Sequence, residues 1–285
     1  MTILVFGQTG QVARALAAHE GILCLSRAEA DLSKPGECAK AIERFQPSAV
    51  INAAAYTAVD KAEDEEALAS LINGHAPGEM AKACAVLDIP FVSISTDYVF
   101  DGSGEQPWSG SDTPAPISAY GRSKLIGETQ IRGCGGRYAI LRTSWVISAH
   151  GSNFVKTMLR LGRERDALNV VNDQIGAPTA AKDIAETCLS MVAALSDAPS
   201  NAGIYHYSGT PETSWYDVAR TIFDKSGIDC DVQLIPTSAY PTPAKRPLNS
   251  RLDCASLEAV FGIKGPDWTR SLDDILKDLG ELNGQ

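Results

Sequence analysis

Short apolar runs alternate with amphipathic, alanine-rich stretches along most of this 285-residue chain. Thr2-Ile-Leu-Val-Phe6, Ile22-Leu-Cys-Leu25, Ala49-Val-Ile-Asn-Ala-Ala-Ala55, Pro90-Phe-Val-Ser-Ile-Ser-Thr96 and Tyr138-Ala-Ile-Leu-Arg-Thr-Ser-Trp-Val146 each have the length and composition of a buried strand. Between them, Arg14 to Ala18, Cys38 to Phe45, Asp60 to Leu87 and Ser118 to Arg132 read as helices, the third broken near Gly74 and Pro77. Strand and helix in alternation predict a Rossmann-type α/β fold, a doubly wound parallel sheet with helices on both faces. Residues 1–150 carry most of it, together with part of 151–200. Roughly 151–285 is expected to form mainly a smaller C-terminal lobe, interleaved with the first. Ligands of such sheets bind beyond the carboxyl ends of the strands. Gly7, Ala55-Tyr56-Thr57, Thr96-Asp97 and Trp145 fall at those ends and so converge on one crevice.

The first strand runs directly into Gly7-Gln-Thr-Gly10-Gln-Val-Ala13 and then into helix formers. Strand, glycine turn, helix is the context a dinucleotide fingerprint requires. Gly7 permits the tight turn, and Gly10 lets the backbone approach a pyrophosphate at the helix N-terminus. Ala13 stands where a third glycine often sits and is small enough for close packing. An ordinary βα turn is the alternative. The second run ends in Ser26-Arg27, with no acid at either position to hold a ribose 2′-hydroxyl. Arginine suits a 2′-phosphate, which favours NADPH over NADH unless Arg27 is a plain surface residue. Asp31-Leu32 would line the adenine site.

Tyr120 and Lys124 form a Tyr-x-x-x-Lys pair on a helical segment, downstream of Thr96. Residues four apart share a helix face. A free phenol titrates near pH 10 and is a poor acid-base catalyst at neutrality. An ammonium beside it favours the phenolate and lowers that value. The pair alone also fits a solvated helix face; the nucleotide-binding start of the chain is what directs it toward chemistry.

Composition narrows the partners. A net charge of −10 disfavours nucleic acid and anionic membrane surfaces. No apolar run approaches transmembrane length. The first residues already belong to the Gly7–Gly10 unit, so no signal peptide is expected. Seven cysteines without C-x-x-C spacing point to reduced thiols in a cytoplasm. The four histidines show no ligand spacing, so no catalytic metal is expected. Two loops stand out. Tyr98 to Ala119 is rich in glycine and proline and joins Thr96 to Tyr120, which suits a substrate-facing role. Thr237 to Arg251 concentrates Lys245, Arg246 and Arg251, either a solvated basic turn or a phosphate contact.

Over nearly its whole length the chain resembles the dTDP-4-dehydrorhamnose reductases, a family of the extended short-chain dehydrogenase/reductase superfamily. Gly7-Gln-Thr-Gly-Gln-Val12 and Tyr120-x-x-x-Lys124 mark the superfamily. Asn52-Ala-Ala-Ala-Tyr-Thr-Ala-Val-Asp-Lys-Ala-Glu63, Ser95-Thr-Asp-Tyr-Val-Phe100, Arg142-Thr-Ser-Trp-Val146, Asn172-Asp-Gln-Ile-Gly-Ala-Pro-Thr179 and Tyr240-Pro-Thr-Pro-Ala-Lys-Arg-Pro-Leu-Asn-Ser-Arg251 are narrower. The resemblance implies NADPH-dependent reduction, with NADH as the alternative donor, of the C4 ketone of a dTDP-linked 4-keto-6-deoxy sugar, the last step of dTDP-rhamnose biosynthesis. It implies that Tyr120 donates the proton, that Lys124 holds the nicotinamide ribose and lowers the Tyr120 pKa, and that Thr96 bonds near the reacting oxygen. Cofactor positions map onto Gly10, Gln11, Val12, Asp31, Leu32, Ala55, Tyr56 and Thr57. Asp97 and Trp145 would contact the sugar; Arg246 and Arg251 would lie near the diphosphate or thymidine, in a sugar-nucleotide-binding lobe. Some relatives dimerise through a magnesium site built on an acid of the first helix. Ala15 is no acid, so neither that metal nor that dimer is carried over, and whether the chain forms a homodimer stays open. Other readings are a related sugar-nucleotide epimerase, a non-catalytic regulatory subunit such as the one that binds methionine adenosyltransferase, and a pyridine-nucleotide sensor.

Overall fold

In a computed structural model, which describes residues 2–283, the apolar runs pair into one six-stranded sheet. Its spatial order is Gly203–Tyr207, Tyr138–Thr143, Phe91–Thr96, Ala49–Asn52, Ile3–Phe6, Ile22–Leu25, and every pairing is parallel. The chain starts in the interior of the sheet, moves outward to Ile22–Leu25, then crosses to the other side at Ala49–Asn52. The crossing leaves a switch point between Ile3–Phe6 and Ala49–Asn52, where ligands of open parallel sheets bind.

Both faces are buried, as continuous apolar strands demand. Val5, Ile51, Val92 and Leu141 pack under the helices Gln11–Leu16 and Ala181–Asp197. Leu4, Phe6, Val50, Phe91 and Ile140 pack under Glu37–Phe45, Ala76–Leu87 and Ala119–Cys134. A separate core gathers the helices Phe154–Glu164, Trp215–Ser226 and Trp268–Asp278 around a parallel pair of strands, Ala167–Val171 with Asp231–Ile235. The sixth strand of the main sheet and the helix Ala181–Asp197 come from the later part of the chain, so the two cores share sequence.

Two expected elements are built differently. The stretch 60–87 is not broken at Gly74 and Pro77. Short helices Val59–Ala62 and Glu66–Ser70 are separated around Glu63–Glu65, and a π-helical turn, Leu71–His75, leads into Ala76–Leu87. Pro77 lies in the first turn of that last helix, where a missing N–H costs little. Gly74 serves packing: a Cβ there would stand 2.7 Å from Cγ2 of Ile126. The π turn swings Asn73 inward, where its amide bonds the Tyr56 backbone and donates to Ser123 Oγ at 3.0 Å. The run 138–146 ends as sheet strand at Thr143. Trp145 then takes φ +49°, and Val146–Ile147 pairs instead with Thr179–Ala180.

The helix Ala119–Cys134 sits closest to the strand ends. Its N-cap Ser118 accepts a hydrogen bond from Gly121 N at 3.2 Å, and Glu63 accepts from Ala119 N at 2.8 Å. Glycines at 121 and 127 let its backbone press against the Tyr98 and Asn73 carbonyls, each of which a Cβ would overlap. Gly121→Ala is therefore expected to destabilise the fold by about 1–3 kcal/mol, the usual scale of overpacking. It should also weaken activity by displacing Tyr98; chemical denaturation and turnover measure the two, and an unchanged unfolding midpoint would refute the close approach.

Candidate active site

At the switch point the strand ends open into a crevice of about 810 Å³. One half is built by the glycine turn. Gly7 takes φ +112°, and a Cβ there would press on Ala53 C and Ala54 N at 3.3 Å. Only glycine holds this turn so close to the neighbouring strand without strain. Gly10, Gln11, Val12, Ser26, Arg27, Asp31, Leu32, Ala55 and Thr57 all line the same half. The glycine turn brings its backbone to the wall of this half, which fits a dinucleotide pyrophosphate.

The second strand end is more charged than the residues at 26 and 27 suggested. Arg27 is largely exposed and its Nε lies 3.4 Å from Asp31 Oδ1. The Ser33 amide and hydroxyl donate to that carboxylate at 3.0 and 2.7 Å and hold Asp31 below its usual range. Glu29 folds back so that the Ser26 amide and hydroxyl donate to its Oε2 at 2.8 and 2.7 Å. A carboxylate thus reaches the strand end from three residues downstream, which the linear reading missed.

Tyr56 departs from expectation. Its neighbours Ala55 and Thr57 line the crevice, but its hydroxyl donates to Glu65 Oε2 at 2.5 Å, away from the cradle. That bond is the main reason its pKa is pushed up to about 12.

Thr96, Asp97, Tyr98, Tyr120, Lys124 and Trp145 line the other half. The helix and the strand Phe91–Thr96 bring Tyr120 and Thr96 together although the long loop separates them in sequence. Tyr98 lies edge-on to Tyr120, ring centroids 5.5 Å apart. Lys124 is 5% exposed, and its Nζ donates to the Ile94 carbonyl at 2.7 Å, not to Tyr120. Burial lowers its pKa to about 8, opposed by the Glu128 carboxylate. Tyr120 is raised above the ordinary phenol range, mainly by burial; the Thr96 hydroxyl draws it back and Asp97 pushes it further up. The expected lowering by Lys124 is therefore absent from this geometry, because the ammonium is committed to Ile94 and desolvation dominates. A neutral phenol is nonetheless the form that donates a proton.

Asp97 is 2% exposed and accepts from Thr96 Oγ1 at 3.0 Å and from Ser250 Oγ at 2.5 Å. Burial outweighs both bonds and raises its pKa to about 6. Ser250 was assigned no role by the sequence, although it stands inside the Asn-Ser-Arg segment. Trp145 stacks on Trp215 with centroids 3.8 Å apart, and Trp215 meets Phe154 at 4.4 Å. These rings divide the crevice from a second cavity of about 670 Å³, lined by Tyr98, Phe154, Val170, Trp215, Tyr240 and Arg246 among others. Arg246 pairs with Asp60 at 2.8 Å and donates to the Tyr98 hydroxyl at 3.4 Å. Arg251 does not reach either cavity's lining; it pairs with Glu212 and bonds Asn249.

A doubly wound parallel sheet, a glycine cradle at its switch point and a Thr-Tyr-Lys set beside it define a dinucleotide-dependent oxidoreductase of the short-chain dehydrogenase/reductase class. A family model described as the RmlD substrate binding domain matches residues 1–281. A dTDP-4-dehydrorhamnose reductase of Burkholderia thailandensis is 42% identical over 295 residues, covering 98% of this chain and 99% of the relative. One from Escherichia coli K12 is 40% identical over 293 residues, 98% of each chain. The crystal structure of a dTDP-4-dehydrorhamnose reductase from Bacillus anthracis in complex with NADP superposes with TM-score 0.91 at 32% identity, over 98% of this chain and 100% of that one. The chain belongs to the RmlD family, the dTDP-4-dehydrorhamnose reductases.

The Asp97 environment makes a pH prediction. Its folded-state pKa of about 6 exceeds the ordinary 3.8, so the native state binds this proton more tightly than the unfolded chain. The resulting stability is present below about pH 4 and is lost as pH rises through about 6. Asp97→Asn removes the titration. Relative to the parent, the variant should gain stability between about pH 4 and pH 7 by up to the order of 3 kcal/mol. Thermal melting across that range reads it; a pH-independent difference would contradict the buried carboxylate.

Proposed function

We propose that this chain reduces the C4 ketone of dTDP-4-dehydro-β-L-rhamnose to dTDP-L-rhamnose with NADPH, and that Thr96, Tyr120 and Lys124 carry the chemistry. The observation that carries the reading is the meeting of these three residues at the end of a crevice whose other half is the glycine cradle. The cradle would hold NADPH, which would supply hydride to the sugar C4.

The protein's own residues do the rest. Gly7, Gly10, Gln11 and Val12 receive the pyrophosphate, and Ser26, Arg27, Asp31 and Leu32 receive the adenosine end. Arg27, extended into solvent beside the crevice, offers its guanidinium to a 2′-phosphate. Lys124, fixed by Ile94, holds the nicotinamide ribose. Reduction of a ketone builds negative charge on oxygen, and hydroxyls preset at that point stabilise it as it forms. Tyr120 gives its proton to that oxygen. The raised pKa keeps the phenol protonated until an alkoxide, a stronger base, appears beside it. The Thr96 hydroxyl, whose proton rests on Asp97 in the free site, turns that proton to the same oxygen as charge builds there, and Asp97, held by Ser250, orients the sugar. Trp145 covers the apolar face of the 6-deoxy sugar. In this reading the second core, within roughly 151–285, is the sugar-nucleotide-binding lobe. Its cavity takes the nucleotide, with Arg246 as the cation nearest the diphosphate. The net charge and the seven free thiols support a cytoplasmic enzyme.

NADPH absorbance with freshly generated dTDP-4-dehydro-L-rhamnose tests the whole. Stoichiometric oxidation with dTDP-L-rhamnose as product is expected. Tyr120→Phe should bind NADPH normally and lose on the order of 10²–10⁴ in kcat, the scale of general acid catalysis. Parental turnover in that variant would overturn the assignment of the proton donor.

A further inference from the structure

Beneath the site lies a buried ion pair that the proposed reaction does not use. Glu128 and Arg142 have side chains 3% and 2% exposed. The Arg142 fork donates to both carboxylate oxygens, at 2.9 and 2.6 Å. The Ser95 hydroxyl donates to Glu128 Oε1 at 2.6 Å. Arg142 continues to His206 Nε2 at 3.3 Å, and His206 Nδ1 to the Trp108 carbonyl at 2.9 Å. We propose that Glu128 is a positioning residue: clamped by Arg142, it holds Lys124 and Thr96 in reacting register and, through His206, ties the Trp108 loop to them. The proposal rests on the roles given above to Lys124 and Thr96.

The geometry is specific. Lys124 and Glu128 are four apart and share a helix face. Lys124 bonds Ile94, Glu128 bonds Ser95, and the next residue on the strand is Thr96. Two consecutive rungs from one helix thus fix the strand end that presents the threonine. Through Arg142 the clamp also reaches the loop 98–119, of which Tyr98 lines the crevice. The guanidinium lies over Phe100 at 4.9 Å, and Phe100 stacks on Trp108 with centroids 4.6 Å apart. Trp108 Nε1 donates to the Asn249 carbonyl at 3.2 Å, next to the Ser250 that bonds Asp97. Burial and the Arg142 charge push His206 down to about 4, so it is neutral; with Arg142 donating to Nε2, its Nδ1–H donates to Trp108.

Glu128 also sets charge at the site. On the Lys124 helix the ionisable neighbours are Tyr120 and Glu128; from the adjoining strands and turn they are Asp97, Tyr98, Arg142 and, behind it, His206. On the opposite helices Glu63, Glu66 and His75 are engaged with Ala119 N, Arg122 and Gln130. Glu128 is the anion that opposes desolvation of the Lys124 ammonium. Without it, Lys124 shares its layer with an unpaired guanidinium and loses its proton at lower pH.

Two variants test this, with the protein assayed by turnover, NADPH fluorescence titration and melting, each against pH. Glu128→Gln removes the charge. Glu128→Met with Arg142→Met replaces the pair by apolar groups, a change that often preserves stability. The double variant is expected to melt near the parent. Its kcat should nevertheless fall on the order of 10²-fold, the scale of a small misplacement of reacting groups. In both variants the high-pH loss of kcat/KM and of NADPH affinity should begin about one pH unit or more lower. A folded double variant with parental kcat and an unmoved high-pH limb would overturn the proposal and leave the pair a packing element. If the parent binds NADPH but does not reduce the sugar, the proposed reaction fails instead, and the pH dependence of NADPH affinity still decides the role of Glu128.

Discussion

The site depends on how closely one helix approaches one strand. Ala119–Cys134 carries Tyr120 and Lys124, Phe91–Thr96 carries Thr96, and the chemistry requires them within hydrogen-bond reach. Glycines at 121 and 127 remove the side chains that would hold the helix away, and buried polar bonds from Lys124 and Glu128 fix its register. Such bonds add little net stability, since desolvation offsets much of their attraction. They exclude other registers, because a slip would leave a buried charge unpaired.

That closeness also sets the electrostatics. Burial raises Asp97 and Tyr120 and lowers Lys124, so each titrates toward its neutral form. A site poised this way keeps its phenol protonated and concentrates its response on charge that appears during the reaction.

The second core completes the crevice from outside the sheet. Trp145, in a left-handed conformation, reaches across to Trp215, and Ser250 and Arg246 return from the C-terminal segment to Asp97 and Asp60. Asn153, the N-cap of Phe154–Glu164, donates to Gln11 Oε1 at 2.9 Å and joins the glycine turn to the same core. The nucleotide end and the sugar end are thus linked by side chains at both sides of the crevice.

The sequence alone determined five of the six strands, the parallel sheet, the glycine cradle and the Thr-Tyr-Lys set, because these follow from local periodicity, from glycine's backbone freedom and from motifs read within a few residues; the edge strand Gly203–Tyr207 was not read from it. The RmlD resemblance supplied the substrate, which no single residue spells out. Tertiary structure alone decided the rest. The π turn arises from packing against the neighbouring helix, and Tyr56 turns away because Glu65 captures its hydroxyl. Lys124 serves Ile94 instead of Tyr120 because the packed strand brings the Ile94 carbonyl to 2.7 Å from its ammonium. Ser250, Glu128 and Trp215 act on partners from 14 to 153 positions away. Local pattern cannot report such contacts, because they form only when the helices and strands that carry them have packed.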